Sequence, residues 1–452
     1  MASLSRTSLQ HRVWRWHFFA GLMVVPFAVI LAVTGGVYLF KPQFEAAVER
    51  NINARADTAI EGQALTSGAL VHTATQHYPG AQFRRLTLPR SDEDRTYEVE
   101  LRIGGQDRVL WLDQYTGDIL HDTPKDRRLM NIAQDIHGNL LAGNRGSYLV
   151  ELMAGWMIVL MVTGLFLHWP RGTPWRDVLF PSLRGQPVRE VLRRLHGAIG
   201  VWISTIVLAL LISGLPWTQV WGGGFDRVQE VMGWDGPGQE WVVTLQSGAP
   251  TDGLDLWQRG AGEESDVTLQ SGPPHGQIEP APLDHITDRA MALQLKSPVE
   301  IQPPKGDNGV WTVRSMTQNR PHRATVHFDR WTTEEVMRVR FTDYHPVKQV
   351  ASYGIAFHEG ALFGPLNQAL GVVAALGVIT LSVSGVWMWW KRRPAMRIGI
   401  PPMPSERHIA MGVVAIILIL GAFLPLVGLS LAAFLAVDVV LTALRKQDLI
   451  GL

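Results

Sequence analysis

The sequence predicts an α-helical polytopic membrane protein with about six transmembrane helices, two α+β outer domains and a C-terminal helical hairpin. Three observations carry that expectation: long charge-free apolar blocks, a duplicated pattern of histidines and glycines, and basic residues gathered in the short connections. The chain has 452 residues, of which 46% are hydrophobic and 18% charged, and these two classes segregate along it. A formal net charge of +1 gives no global field for nucleic acid. With no cysteine, disulfides, thiolate-bound zinc, iron–sulfur clusters and CxxCH haem attachment are all excluded. Seventeen tryptophans, many beside the apolar blocks, suit an interfacial belt.

A hydrocarbon core about 30 Å thick needs roughly 20 apolar residues in a helix. Segments 17–40, 149–169, 196–220 and 367–390 meet that requirement. Segment 409–444 is too long for one crossing and is split near Pro425 into a hairpin. The first block is read as a span, not a cleaved signal peptide, because it is long and no small-residue cleavage site follows. Basic residues fix the orientation. Arg6, Arg12 and Arg15 precede the first span, and Arg171, Arg176, Arg184, Arg189, Arg193 and Arg194 fill the second connection. Lys391, Arg392, Arg393, Arg397 and Arg407 form the next basic loop, and Arg445 and Lys446 close the chain. With six spans all four stretches face the cytoplasm, so both termini are cytoplasmic and the long segments lie outside.

Self-comparison shows a duplicated unit. His17-x3-Gly21-x13-Gly35 recurs as His196-x3-Gly200-x13-Gly214, and His137-x5-Gly143-x20-Gly164 recurs as His358-x5-Gly364-x20-Gly385. The unit is helix, outer domain, helix, twice in parallel. The resulting division is 1–40 for the N-terminus and first span, 41–136 for the first outer domain, and 137–170 for the second span with its approach. A basic loop, 171–195, leads to the third span, 196–220. The second outer domain, 221–357, carries a Gly/Pro-rich insertion at 222–280 with a short internal echo at 243–248 and 267–272. The fourth span with its approach is 358–390, followed by a basic loop, 391–407, and the hairpin, 408–452.

Each outer segment reads as a helix followed by strands. The first has a helix at 64–77, strands at 84–89, 96–102 and 108–112, and a turn at 113–118. The second has a helix at 284–295, strands at 299–303, 310–314 and 324–328, and a turn at 329–334.

Ionisable residues at a bilayer edge are costly unless they are paired or functional. His17 and His196 stand at the inner ends of the first and third spans; His137 and His358 stand before the second and fourth, at the outer face. A pseudo-two-fold axis would bring each pair together, and two facing imidazoles can ligate a haem iron from both sides. The plainer alternative is interfacial histidines beside packing glycines. His168, at the inner end of the second span, has Trp389 as its counterpart and is an alternative inner ligand. Arg12, Arg15, Arg193 and Arg194 are topogenic and could also pair with haem propionates; Arg145 could do so outside. His408 is read as interfacial, and Asp438 as a buried-acid candidate. The remaining histidines have no metal-ligand spacing.

Several stretches resemble the PepSY-associated transmembrane family of iron-regulated membrane proteins, which includes siderophore reductases. They are Trp16-His17-Phe18-Phe19-Ala20-Gly21 with Thr34-Gly35, and Asp135-Ile136-His137-Gly138-Asn139-Leu140-Leu141-Ala142-Gly143. Their counterparts are Leu195-His196-Gly197-Ala198-Ile199-Gly200 with Ser213-Gly214, and Phe357-His358-Glu359-Gly360-Ala361-Leu362-Phe363-Gly364. The turn Leu112-Asp113-Gln114-Tyr115-Thr116-Gly117-Asp118 resembles the end of a PepSY domain; the second copy departs from it with Thr332-Thr333. The resemblance implies a bacterial inner-membrane oxidoreductase with two b-type haems on the membrane-edge histidines and periplasmic PepSY-like domains. It would reduce a ferric siderophore outside and release Fe(II). No nucleotide-binding loop is present, so the electron donor would be a separate reductase or membrane quinol. A non-redox PepSY protein binding a protease or envelope component is the alternative function. A transporter is the third reading, disfavoured because no pair of broken helices flanks a midplane polar site.

Overall fold

The computed structural model describes residues 6–56, 62–91, 93–234, 282–305, 309–393 and 418–433. Its helices are α1 (Arg6–Tyr38), α2 (Lys41–Asn53), α3 (Ser67–His77), α4 (Leu129–Asn139), α5 (Gly143–His168) and α6 (Trp175–Leu179). They continue with α7 (Val188–Gly214), α8 (Val220–Val231), α9 (Leu283–Ala292), α10 (Pro346–His358) and α11 (Pro365–Arg392). The strands are β1 (Gln82–Thr87), β2 (Thr96–Ile103), β3 (Gln106–Asp113), β4 (Ile119–Pro124), β5 (Val299–Gln302), β6 (Trp311–Ser315), β7 (Ala324–Phe328) and β8 (Glu335–Arg340). The chain divides into a helical unit (Met1–Tyr38, Ala133–Phe225, Leu366–Leu452) and a sheet unit (Leu39–Ile132, Asp226–Pro365).

In the helical unit, four helices among the described residues are long and apolar enough to cross a membrane: Leu9–Tyr38, Gly143–His168, Val188–Trp217 and Pro365–Arg392. They are the four expected from the apolar blocks. Their N-termini start earlier than expected, so His17 and His196 lie inside α1 and α7 and do not open them. Val24, Met157, Ile203 and Leu381, one from each span, meet in one apolar core. Small residues set the approach of a further piece. A Cβ on Gly155 of α5 would come within 2.6 Å of Val427, and one on Gly428 within 2.7 Å of the Gly421 Cα.

The helix expected to break near Pro425 is interrupted at Leu424, between helical runs 418–423 and 425–433. The rest of the hairpin lies outside the described residues, and so do Arg397, Arg407, His408, Asp438, Arg445, Lys446 and the echo at 243–248 and 267–272. Residues 222–231, expected to begin an insertion, instead continue α8. The Glu151 carboxylate of α5 accepts the Val220 and Trp221 N–H groups at the start of α8, each at 2.9 Å.

The sheet unit corrects the expectation of two separate outer domains. Both segments join one eight-stranded sheet of order β4-β3-β2-β1-β5-β6-β7-β8, antiparallel throughout. The halves meet at β1 and β5, where Leu86 pairs with Ile301 and Thr87 with Glu300. One core runs under both halves, with Leu70 of α3 and Ile286 of α9 packed on alternate strand residues such as Leu86, Val99, Ile301 and Val313. On the other face α2 covers β3, placing Ile52 against Val109 and Trp111.

The same face carries an ion network at the seam. Arg85 of β1 pairs with Glu100 at 2.7 Å and with Glu300 across the junction. Lys125 completes Glu100 at 2.9 Å, and Arg314 completes Glu300 at 3.1 Å. Expected strands appear within two residues, but the outer strands β4 and β8 were not expected. The two turns are built alike. Asp113 Oδ1 accepts the Tyr115 N–H at 2.7 Å, and Asp329 Oδ1 accepts the Trp331 N–H at 2.7 Å. Thr333 adopts φ +59° where Gly117 adopts +74°, so the departure at Thr332-Thr333 keeps the turn and strains a β-branched residue.

Candidate functional site

The cavity that stands out in the helical unit has a volume of about 610 Å³ and is enclosed by α1, α5, α7 and α11. That lies within the range of cofactor-sized sites. His17, His168 and His196 line it, together with Gly21, Gly164, Gly197, Gly200 and Gly385. Toward its other end the wall is mostly apolar, with Val24, Ala28, Met157 and Val378.

Glycines seat the imidazoles. A Cβ on Gly164 of α5 would come within 3.2 Å of His17 Cε1, and one on Gly385 of α11 within 3.6 Å of His196 Cε1. Before α5, His137 lies against α1 in the same manner: a Cβ on Gly35 would reach its Cε1 at 2.8 Å. The spacing found in the sequence therefore records a reciprocal arrangement. In the first half, the histidine of each element rests on the glycine of the other.

The residue before each of these glycines holds the ring. His17 Nδ1 lies 2.9 Å from Thr163 Oγ1, and His196 Nδ1 lies 2.9 Å from Ser384 Oγ. Thr163 already donates its hydroxyl proton to the Val159 carbonyl at 2.7 Å, and Ser384 donates to the Leu381 carbonyl at 3.1 Å. A hydroxyl has one proton, so each oxygen must accept from the imidazole N–H. His137 Nδ1 donates to the Leu31 carbonyl at 3.0 Å, with Thr34 Oγ1 at 3.4 Å. A carbonyl can only accept. All three neutral rings are thereby assigned the Nδ1–H tautomer, and in His17 and His196 the Nε2 lone pair is then the one that could meet a ligand.

The other candidate residues separate clearly. His168 lines the cavity with its ring packed on Gly197, and its buried Nε2 has no hydrogen-bond partner. Arg193 lines the cavity but is held by Glu190 at 2.9 and 2.6 Å. Arg194 is bound to Glu190 at 2.7 Å and to the Ser182 carbonyl at 3.2 Å. Arg12, Arg15 and Arg194, offered as anion partners at the inner histidines, are not in the cavity lining, whereas Arg189 and Arg392 are. His137 belongs to the helical unit and His358, the last residue of α10, to the sheet unit. Each is followed at the same spacing by a left-handed glycine, Gly143 at φ +56° and Gly364 at φ +60°. That conformation turns the chain into the next helix and explains the invariant x5 step between the two copies.

A family model described as the PepSY-associated TM region matches residues 14–392. The chain belongs to the PepSY-associated transmembrane family. No curated protein matches it. The PepSY-associated region takes in His17, His137, His196 and His358 and ends at the last residue of α11. Within this PepSY-associated chain, sequence reasoning missed Thr163, Ser384, Trp14 and Arg392. The signal was present: a Thr-Gly or Ser-Gly dipeptide stands at each of the four repeat glycines 35, 164, 214 and 385.

Proposed function

We propose that this protein is a haem-containing oxidoreductase of the bacterial inner membrane, carrying electrons outward to reduce a ferric siderophore. One observation carries the reading: His17 and His196, both lining the cavity, each rest on a glycine and give Nδ1–H to a hydroxyl oxygen, so that Nε2 keeps its lone pair. Metal-bound histidines characteristically donate their second ring N–H in this way. A merely interfacial histidine needs neither a glycine seat nor a hydroxyl whose own proton is already committed.

The cavity fits a b-type haem in volume, in apolar lining and in its glycine walls. His17 and His196 would hold the inner haem, because each rests on a glycine preceded by the hydroxyl that holds its Nδ1; His168 rests on Gly197, which no hydroxyl residue precedes. His137 and His358 would hold a second haem at the outer face, on the strength of their matched spacing. Haem iron supplies a one-electron Fe(III)/Fe(II) carrier. The protein's own residues fix the imidazoles, exclude water with the apolar wall and hold the rings against rotation through Thr163 and Ser384. Ferric iron binds hard-oxygen chelators far more tightly than ferrous iron, so one electron per chelate is enough to release the metal. Orientation follows from the basic loops, with both termini cytoplasmic and the PepSY-like part periplasmic. Six spans and a duplicated helix–PepSY–helix unit complete the proposal, and the donor is a separate reductase or membrane quinol.

Full-length protein purified from haem-replete cells should show a Soret band that sharpens and shifts on dithionite reduction. His17→Ala and His196→Ala should each remove about one haem, and His137→Ala or His358→Ala the other. His168→Ala should retain both. A colourless wild-type protein would end the proposal.

A further inference from the structure

The helix α10 turns its faces the wrong way for water. Pro346, Val350, Tyr353 and Phe357 recur at i, i+4, i+7 and i+11, so they form one apolar stripe. Val350 on that stripe is 70% exposed and Tyr353 43%. The opposite face is covered and includes a charge: Lys348 is only 6% exposed, beside buried Ile355 and Ala356. A helix bathed in water would show the lysine and hide the valine.

Chain connectivity says what lies beside the stripe. Residues 359–364 alone separate α10 from α11, which is long and apolar enough to span the membrane. That link is compact. The Ala361 and Leu362 N–H groups both donate to the Ala356 carbonyl, at 2.8 and 3.1 Å. Phe363 folds edge-on to Phe357, with ring centroids 6.5 Å apart. So short a tether holds α10 at the surface where α11 enters the bilayer. The exposed apolar series also runs on through Phe363 into Leu366, in the first turn of the span. Tyr353, set edge-on against buried Phe341 at 5.1 Å, is a residue type that favours the headgroup level. α4, the matching helix of the first half, exposes Gln134 and Asp135 instead, so the stripe belongs to one half only.

We propose that α10 lies along the bilayer surface on the side of the sheet unit and seats Val350, Tyr353 and Phe363 among lipids. The depth expected of such a helix is about 5–10 Å, at the boundary of headgroups and acyl chains. His358 is the last residue of α10, so the lipid contact also fixes the depth of that imidazole. The assignment goes beyond the haem reading and holds whether or not the histidines carry a metal.

The chain has no cysteine, so a single introduced thiol can be labelled alone. Full-length Val350→Cys and Tyr353→Cys, each carrying an NBD fluorophore, are placed in phosphatidylcholine/phosphatidylglycerol nanodiscs. Glu334→Cys, exposed on the turn before β8, is the reference for water, and Leu376→Cys, exposed on α11, the reference for lipid. Both α10 probes should emit to the blue of the Glu334 probe. They should lose most of their fluorescence to lipid bearing a nitroxide high on its acyl chain, and little to aqueous iodide. Quenching by iodide as complete as at Glu334 puts the stripe in water and overturns the proposal. Resistance to both quenchers puts protein over the stripe, a partner or a second copy, and overturns it equally.

Discussion

Thr163 shows how much one hydroxyl decides. Its proton goes to the Val159 carbonyl, so its oxygen has only lone pairs to offer His17. Thr163→Val keeps the shape and removes the hydroxyl acceptor of the Nδ1–H. Loss of such outer-shell partners lowers metal affinity by about 10–100-fold. Haem titration of Thr163→Val should show that loss, and Thr163→Ser should restore most of it; identical titration curves for wild type and Thr163→Val would remove the residue from the site. Histidines and glycines were legible in the sequence because their spacing repeats. The hydroxyls repeat with the glycines but were passed over, because a threonine on an apolar helix is ordinarily satisfied by its own preceding turn and so gives no sign of a second partner. Arg392 was hidden differently. It sits in Lys391-Arg392-Arg393, where the charge was fully explained by membrane orientation.

Among the elements, α8 depends on a neighbour in a way that α2 does not. α2 opens with Lys41-Pro42, and Pro42 has no N–H to satisfy. At the matching place α8 opens with Val220-Trp221, whose two N–H groups are taken by Glu151. The corresponding position on α11 is Val372, so the acid belongs to one half only. Glu151→Leu should leave two donors without an acceptor, at a cost of about 2–4 kcal/mol. A drop of several degrees in the thermal midpoint in detergent, with faster amide exchange at Trp221, is the expected result; an unchanged midpoint would show that water replaces the carboxylate. The spans were legible because a bilayer demands length and apolarity together. β4 and β8 were not, because an outer strand has one unpaired edge and alternates weakly, as Ile119–Pro124 does with every residue half-buried.

At the level of the whole chain, the sheet unit is one body made from two distant segments. Its seam rests on few ladder pairs and on Arg85, which binds a glutamate from each half. Pairing across so long a separation leaves no local trace, which is why the sequence reads as two domains. Arg85→Met should destabilise the sheet unit by about 2–3 kcal/mol, less than a lone buried pair because Lys125 and Arg314 remain. Hydrogen exchange should quicken together in β2 and β7, on opposite sides of the seam. Quickening confined to β1 and β5 would mean that the halves open independently.

That seam also imposes an order of biosynthesis. β1 finishes at Thr87, and its partner β5 begins at Val299, with α5 and α7 between them. At roughly 5–20 residues per second, the ribosome needs on the order of 10–40 s to supply the missing neighbour. Throughout that interval the nascent first half has an open strand edge, and two further helices must enter the bilayer before it can close. Arg84 and Arg85, adjacent on that edge strand, are the kind of charges that discourage a wrong neighbour from docking while the right one is still being made.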